Sequence, residues 1–337
     1  MLFNILLFIA AAIVIAISGT ALTKYADKLA DKTRLGEAFI GAVFLGAVTS
    51  IAGIITSISA AYNGHPELAV SNAIGGIAAQ TLFLCIADVT YRKVNLEHAA
   101  ASLSNIMQAV LLIGLLVIII LGVVSPDYTI FNIHPVSILI FLIYAVGTRL
   151  ISKSEKEPMW RPIKTSETVD KRSEEDQAKG TSLSSLIFKF CILSLLVGAS
   201  GYVVSLTGIA ISEMSDLSDG LVGSLFTAVA TSLPELVVTL AAVRQKALAL
   251  AVANIIGGNS FDVLFVAFSD IAYQDGSILH NINSGQTFLI CMTTLMVCVL
   301  IMGLLHRQRK GFANIGWESA LIILIYFIGN TFLYLLF

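Results

Sequence analysis

Charge is scarce in this chain. Its 337 residues carry 20 Lys and Arg and 22 Asp and Glu, 12% in all, about half of what a soluble domain uses to cover its surface. The formal net charge is −2, so there is no basic surplus to attract nucleic acid. Cysteine is equally sparse: Cys85, Cys191, Cys291 and Cys298 show no metal-ligand spacing, all fall in apolar runs, and are read as packing residues. A glycine-rich phosphate loop is missing, which excludes nucleotide-driven work, and no nucleophile–base constellation points to an enzyme or a bound cofactor. The five histidines sit in or beside polar segments, so none suggests a buried proton relay.

What the chain has is apolar length. Hydrophobic residues make up 57% and mean hydropathy is +0.88. A helix needs about 20 apolar residues to cross a hydrocarbon core, and a lone span in lipid must satisfy its own backbone hydrogen bonds. Ten such runs can be drawn: about 2–23, 38–61, 68–89, 103–124, 134–151, 183–206, 220–243, 248–271, 287–305 and 318–336. The first has no basic region ahead of it, so it reads as a span rather than a cleaved signal.

Under this ten-span plan every one of the 20 Lys and Arg residues falls on one side. Lys24, Lys28, Lys32 and Arg34 follow span one, and Arg92 and Lys93 follow span three. Arg149 to Lys179 fill the link after span five, and Lys189 stands at the near end of span six. Arg244 and Lys246 follow span seven; Arg307, Arg309 and Lys310 follow span nine. The excess of basic residues makes that side cytoplasmic and puts both termini outside the cell membrane. The opposite side holds Glu67, Asp127, Glu213, Asp216, Asp219 and Asp275, read as solvated loops and helix caps.

Residues 152–182 are polar and charge-mixed, with Pro158 and Pro162, and read as a linker between a first unit, 1–151, and a second, 183–337. Five spans in each unit force the second to enter the membrane in the opposite sense. At an offset of 182, residues 35–91 align with 217–273 without a gap, and 17 of 57 positions are identical. The matches include Thr49-Ser50 with Thr231-Ser232, Asn72 with Asn254, Gly75-Gly76 with Gly257-Gly258, Leu82-Phe83 with Leu264-Phe265, and Asp88 with Asp270. Chance likeness between apolar helices does not align Asn, Gly-Gly and Asp. The expected fold is therefore an all-α membrane protein of ten transmembrane helices in two inverted five-helix repeats, the plan of many secondary transporters.

Two polar sets lie deep in the second unit. Thr231-Ser232-Leu233-Pro234-Glu235 falls near the middle of span seven, and Pro234 removes the N–H that would bond the carbonyl of Ala230. A mid-membrane carboxylate costs about 2.5–3.5 kcal/mol on insertion scales and is seldom kept without a partner. In span eight, Asn254 and Asp262 are two turns apart and can share a face, with Asn259 between them and Gly257-Gly258 allowing close helix approach. Hydroxyls, a freed carbonyl, amides and carboxylates are the oxygens that hard cations such as Na+ and Ca2+ take. Asp88 and Asp270 stand at span ends and read as helix terminators.

Thr-Ser-Leu-Pro-Glu followed by Asn-Ile-Ile-Gly-Gly-Asn-Ser-Phe-Asp resembles the second signature repeat of the cation/calcium antiporter superfamily, which includes the sodium/calcium exchangers. The resemblance implies two facing repeats whose central carboxylates and amides bind Ca2+ and Na+ alternately. It assigns Glu235 and Asp262 as acidic ligands, Thr231, Ser232, Asn254 and Asn259 as hydroxyl and amide ligands, and Thr49, Ser50, Asn72 and Gln80 as their first-repeat equivalents. The first repeat departs from the pattern: the usual Pro-Glu is Ala52-Gly53, and the second signature ends in Gln80 rather than an Asn-containing run. Asp88, about 12 Å along the helix from Gln80, cannot replace the lost acid.

The leading expectation is a cation antiporter exchanging Ca2+ or another metal ion against Na+ or H+. A monovalent cation/proton antiporter, and a non-transporting relative acting as partner or sensor, remain alternatives. The expected partners are the lipid bilayer and small cations; oligomeric state is not set by the sequence.

Overall fold

Helix is the form the apolar runs take. The computed structural model describes residues 1–33, 46–91, 94–156, 158–163, 182–311 and 315–337, and their regular structure is helical apart from one isolated bridge between Ile130 and Ile133. Among the described residues, eight helices are long and apolar enough to cross a membrane: Leu2–Leu29, Pro66–Thr90, Leu103–Val124, Pro135–Lys156, Leu183–Glu213, Leu248–Ala272, Ser284–His306 and Trp317–Leu336. A ninth candidate is the pair Asp219–Thr231 and Leu233–Arg244, bent by 48°. The run expected over 38–61 is described only from residue 46, as helical residues 46–49 and the 12-residue helix Ile51–Tyr62. Residues 34–45, 92–93 and 164–181, with Arg34, Arg92, Lys93 and most of the expected linker, lie outside the described residues.

Two kinds of helix differ in burial. Leu2–Thr33 and Leu183–Glu213 pack along one another and turn wide apolar faces outward, with Phe3, Ile17, Phe188 and Leu195 all exposed. Such faces would drive aggregation in water, whereas in hydrocarbon they are the solvated surface. Pro66–Thr90 and Leu248–Ala272 are the most enclosed, with 78% and 67% of their central windows buried against 22% for Leu183–Glu213. Because other helices shield them from lipid, these two can carry Asn72, Gln80, Asn259 and Asp262 in their interiors.

The linker face is defined by contacts near the helix ends. Lys189 lies 5.6 Å from the centre of the Tyr25 ring, and Arg307 donates from Nη1 to the carbonyl of Ile163 at 2.8 Å. The start of Leu183–Glu213 thus lies beside the end of Leu2–Thr33, and the end of Ser284–His306 beside the described start of the linker.

Local geometry recurs at the 182-residue offset. The helix Ile51–Tyr62 closes with Gly64 at φ 81°, where Gly64 N donates to Ala61 O and His65 N to Ala60 O. The helix Leu233–Arg244 closes in the same way with Lys246 at φ 64°, through Lys246 N to Val243 O and Ala247 N to Ala242 O. Left-handed backbone suits Gly64 and costs Lys246 about 1 kcal/mol, so the turn is imposed by the fold rather than by the residue. The helix breaks also match: Ser50 sits at φ −91°, ψ 5° and Ser232 at φ −95°, ψ 3°. Pro234 follows the second break, but Ala52 follows the first, so proline is not the cause of the shared geometry.

Asp88 and Asp270 stand in the last turns of their helices, but both are fully buried and hold other segments of the chain rather than meeting water. Asp88 accepts from Leu96 N, Gly316 N and Ser319 Oγ, while Asp270 accepts from Ile278 N, His134 N and Ser137 Oγ. Each of the three donors is displaced by 182 residues, which carries the correspondence past the aligned segment. One expectation is corrected: Gly257-Gly258 are not the close backbone crossing. A Cβ on Gly257 or Gly258 would meet only the Gln108 or Gln80 side chain at 3.4 Å or more, whereas one on Gly75 would lie 2.5 Å from Ser224 Cα. A tight backbone crossing therefore lies between Pro66–Thr90 and the π-helical stretch Val222–Thr227.

Candidate functional site

The two broken helices bring their breaks to the two enclosed helices, and a small cavity lies where they meet. Ser50, Gly53, Asn72, Gly76 and Gln80 line it from the first unit; Thr231, Ser232, Glu235, Asp262 and Phe265 line it from the second. Its free volume is about 10 Å³, room for about one water-sized occupant.

Asp262 is the hub. Its Oδ1 accepts from Ser50 Oγ at 2.6 Å and its Oδ2 from Gln80 Nε2 at 2.6 Å. Gln80 also donates to Ser232 Oγ at 3.2 Å. Gln80 and Asp262 are 182 residues apart, so equivalent positions of the repeat touch. Asn72 Nδ2 donates to Gly53 O at 3.2 Å and to Ser57 Oγ at 2.8 Å. A carboxylate and a backbone carbonyl can only accept, so the amide nitrogens of Gln80 and Asn72 must face them. That leaves Gln80 Oε1 and Asn72 Oδ1 buried with no hydrogen-bond partner, and Oε2 of Glu235 shares that condition. Among the described residues no Lys or Arg lines the cavity.

Seven of the ten expected site residues line this cavity: Ser50, Asn72, Gln80, Thr231, Ser232, Glu235 and Asp262. Thr231 turns its hydroxyl back to Thr227 O at 2.9 Å, the usual habit of threonine within a helix. Three residues are not among them. Thr49 and Asn254 line a neighbouring cavity of about 240 Å³ that extends from Glu155 and Thr148, near the linker, past Tyr144 to Gly257 and Gly258. Asn254 therefore does not share Asp262's cavity, although the two lie on one helix. Asn259 points to the other helix instead, donating to Thr81 Oγ1 at 3.1 Å and Ile77 O at 3.4 Å.

Sequence reasoning missed Phe265 and Gly76. A Cβ built on Gly53 would lie 2.6 Å from Phe265 Cε2, so the ring occupies the space a side chain there would need. The signal was present in the repeat, where Leu82-Phe83 matches Leu264-Phe265, but an aromatic in an apolar run reads as packing.

A family model described as sodium/calcium exchanger protein matches residues 3–153 and 183–335, leaving out little but the linker. The chain belongs to the sodium/calcium exchanger family. An uncharacterised membrane protein of Methanocaldococcus jannaschii is 26% identical over 308 residues, 90% of this chain and 88% of the relative. Sodium/calcium exchanger MaX1 of Methanosarcina acetivorans is 28% identical over 134 residues, 40% of this chain and 35% of its own length. Among solved structures, the sodium-calcium exchanger NCX_Mj superposes with a TM-score of 0.62 at 17% identity, covering 96% of both chains. The H+/Ca2+ exchanger CAX superposes with a TM-score of 0.65 at 14% identity, covering 98% of this chain and 85% of its own. At those identities the likeness establishes the fold. The protein is thus an integral membrane protein of a cation antiporter family.

Proposed function

We propose that this protein exchanges a small cation against Na+ or H+ by alternating access, with the cation held among Asp262, Glu235, Ser50, Ser232, Asn72 and Gln80. The observation that carries this reading is the set of buried oxygens with no donor: Glu235 Oε2, Gln80 Oε1 and Asn72 Oδ1 line one cavity. An unpaired buried acceptor costs about 1–3 kcal/mol, and a cation offsets that cost for several oxygens at once. Two carboxylates give the site at most two negative charges, which suits one divalent ion, one or two Na+, or Na+ alternating with H+. Ca2+ affinity rises with ligand charge, so Ca2+ should bind more weakly here than at a site with a further carboxylate. Gly53 with the Phe265 ring over it favours the monovalent cation/proton reading as the second possibility.

The proposed architecture is two inverted five-helix repeats, 1–151 and 183–337, joined by the 152–182 linker. The paired helix breaks, the paired turns and the 182-residue displacement of all three donors to Asp88 and Asp270 support it. The large cavity beside Gly258 offers a path from the linker face. On the other face His65 Nδ1 meets Asp219 Oδ2 at 2.7 Å and Asn283 Nδ2 donates to Glu67 Oε1 at 2.8 Å, joining the helix ends there.

Ion-dependent stability of purified protein tests the function. A ligand bound only by the folded form adds RT ln(1 + [L]/Kd), about 2.7 kcal/mol at a hundred times Kd. Screening Na+, K+, Ca2+, Mg2+, Mn2+ and pH should give a thermal midpoint that climbs with the logarithm of at least one cation's concentration. A flat response to all of them would favour a non-transporting partner or sensor. Topology has a separate test. Single cysteines at Ser166 and Phe337 in a cysteine-free protein should label from opposite sides of the membrane with an impermeant reagent. Labelling from the same side would overturn the outside termini and cytoplasmic linker.

A further inference from the structure

We propose that Glu97 and Glu318 form a proton-binding site on the linker face, holding one shared proton between their carboxyl groups. Glu97 is in the short helix Leu96–Ala100, and Glu318 is in the first turn of Trp317–Leu336. They are 1% and 0% exposed and lie within hydrogen-bonding reach of each other. Oε2 of Glu97 and both oxygens of Glu318 take no N–H or O–H donor from the described residues. Two ionised carboxylates repel and cannot bond each other, whereas a carboxylic acid donates to a carboxylate, so one proton satisfies the pair.

Among the described residues the only basic side chain acting on either carboxyl is the His306 imidazole, beside Glu318. On Pro66–Thr90 the facing groups are the Cys85 thiol and Asp88, and Asp88 is already engaged by Leu96 N, Gly316 N and Ser319 Oγ. Leu248–Ala272 packs on Leu96–Ala100 and has no charged residue from Leu248 to Phe261. Ser284–His306 contributes only His306, whose Nδ1 accepts from Trp317 Nε1 at 3.3 Å. Beyond it, Arg307 directs its guanidinium to the carbonyls of His98 and Ile163, and His98 Nδ1 meets Arg307 O at 2.7 Å. Arg309 reaches the segment through its carbonyl, which accepts from Asn95 N, and Lys310 follows it. Among the described residues no Lys or Arg forms an ion pair with either carboxyl. Burial, then Asp88 and Glu318, hold the Glu97 carboxyl well above the usual carboxylate range.

The opposite face shows that acids are not needed at this node. At the 182-residue offset Glu97 corresponds to Leu279 and Glu318 to Val136, and those two side chains pack together over Gly122. The fold therefore accepts an apolar pair where the linker face has a carboxyl pair. The pair joins two segments that both dock on Asp88 and hence on Pro66–Thr90, the helix carrying Asn72 and Gln80. Losing the proton places a second negative charge in that joint and loosens it.

The test is the pH dependence of the thermal midpoint of the full chain, between about pH 5 and 9. Over the window from about 4.3, the unfolded value for Glu, to the raised folded value, the folded state holds a proton that the unfolded state lacks. The folding constant then falls by up to tenfold per pH unit as pH rises. Glu97→Gln donates from its amide without a proton, and Glu97→Leu with Glu318→Val copies the other face. Both should meet the wild type at acid pH and melt progressively higher than it towards alkaline pH. Profiles parallel to the wild type in whichever variant folds would overturn the proposal. Infrared spectra give a readout with the pair intact. With Glu235→Gln and Asp262→Asn in place, a protonated carboxyl stretch should persist at neutral pH, and its absence would equally overturn the assignment.

Discussion

Glu235→Gln should give a protein that folds at least as well as the wild type and has lost most of its cation-dependent stabilisation. Glu235 is 4% exposed and its Oε2 has no hydrogen-bond partner, so removing the charge relieves a burial cost rather than breaking a contact. Asp262→Asn should also fold. Its Oδ1 can still accept from Ser50, and its new amide can donate to Gln80 once the Gln80 amide turns its oxygen inward. What both variants lose is attraction. A unit charge about 4 Å from a monovalent cation contributes about 4 kcal/mol at an effective dielectric constant of 20, and twice that for a divalent ion. Even half of the monovalent figure corresponds to about thirty-fold weaker binding. Glu235→Gln should lose more than Asp262→Asn, because the Asp262 carboxylate already shares its charge with Ser50 and Gln80 at 2.6 Å each. The measurements are the thermal midpoint with and without the stabilising cation, and uptake into vesicles. Two folded variants that keep the wild-type cation response and transport rate would place the ion elsewhere.

Much of this arrangement was legible in the sequence because a membrane makes polarity expensive. Glu235 and Asp262 stand out in apolar runs, and eight of the expected runs are helices long and apolar enough to cross a membrane among the described residues. The repeat helped unevenly: the equivalent pairs Ser50 and Ser232, and Gln80 and Asp262, meet in one cavity, whereas Asn254 and Gly257-Gly258 do not do there what Asn72 and Gly75-Gly76 suggest. What could not be read was direction. Thr49 and Ser50 are neighbours, yet only Ser50 reaches Asp262, because the break at Ser50 turns its side chain inward and leaves Thr49 bonded to Gly46 O at 3.1 Å. Asn254 and Asp262 satisfy the spacing for a common face, yet the helix runs past the cavity and only Asp262 ends in it. Proline explains less than its place in the sequence suggests: Ser232 precedes Pro234 by two residues, but Ser50 has the same backbone angles with Ala52 after it. Tertiary packing sets that geometry, and proline merely tolerates it.

The exchange of Gly53→Glu with Phe265→Ala should convert the site to one that prefers a divalent ion. Gly53 corresponds to Glu235 by the 182-residue offset, and both line the same cavity. Gly53→Glu alone should be poorly folded, because even its Cβ would lie 2.6 Å from Phe265 Cε2 and 3.3 Å from Cζ. Phe265 is not free to swing away, since its ring packs edge-on against Phe261 at 6.3 Å, which in turn packs against Tyr144 at 5.9 Å. Removing the ring opens the room a carboxylate needs. By itself Phe265→Ala leaves a cavity, at a cost of about 3–5 kcal/mol, part of which the Glu side chain recovers by filling it. Ala52 can stay as it is, because the break at Ser50 already has the geometry found at Ser232. A third carboxylate adds about 8 kcal/mol of attraction for a divalent ion against about 4 for a monovalent one at 4 Å and an effective dielectric constant of 20. Desolvation takes back much of both, but the difference favours the divalent ion by well over tenfold. The double variant should therefore gain Ca2+-dependent stabilisation over Phe265→Ala, and lose any response to Na+ or pH that the parent shows. A Ca2+ titration of the thermal midpoint in parent, single and double variants decides it. If the folded double variant responds to Ca2+ no more than Phe265→Ala does, the Phe265 ring is packing alone and Gly53 does not mark the place of a missing ligand.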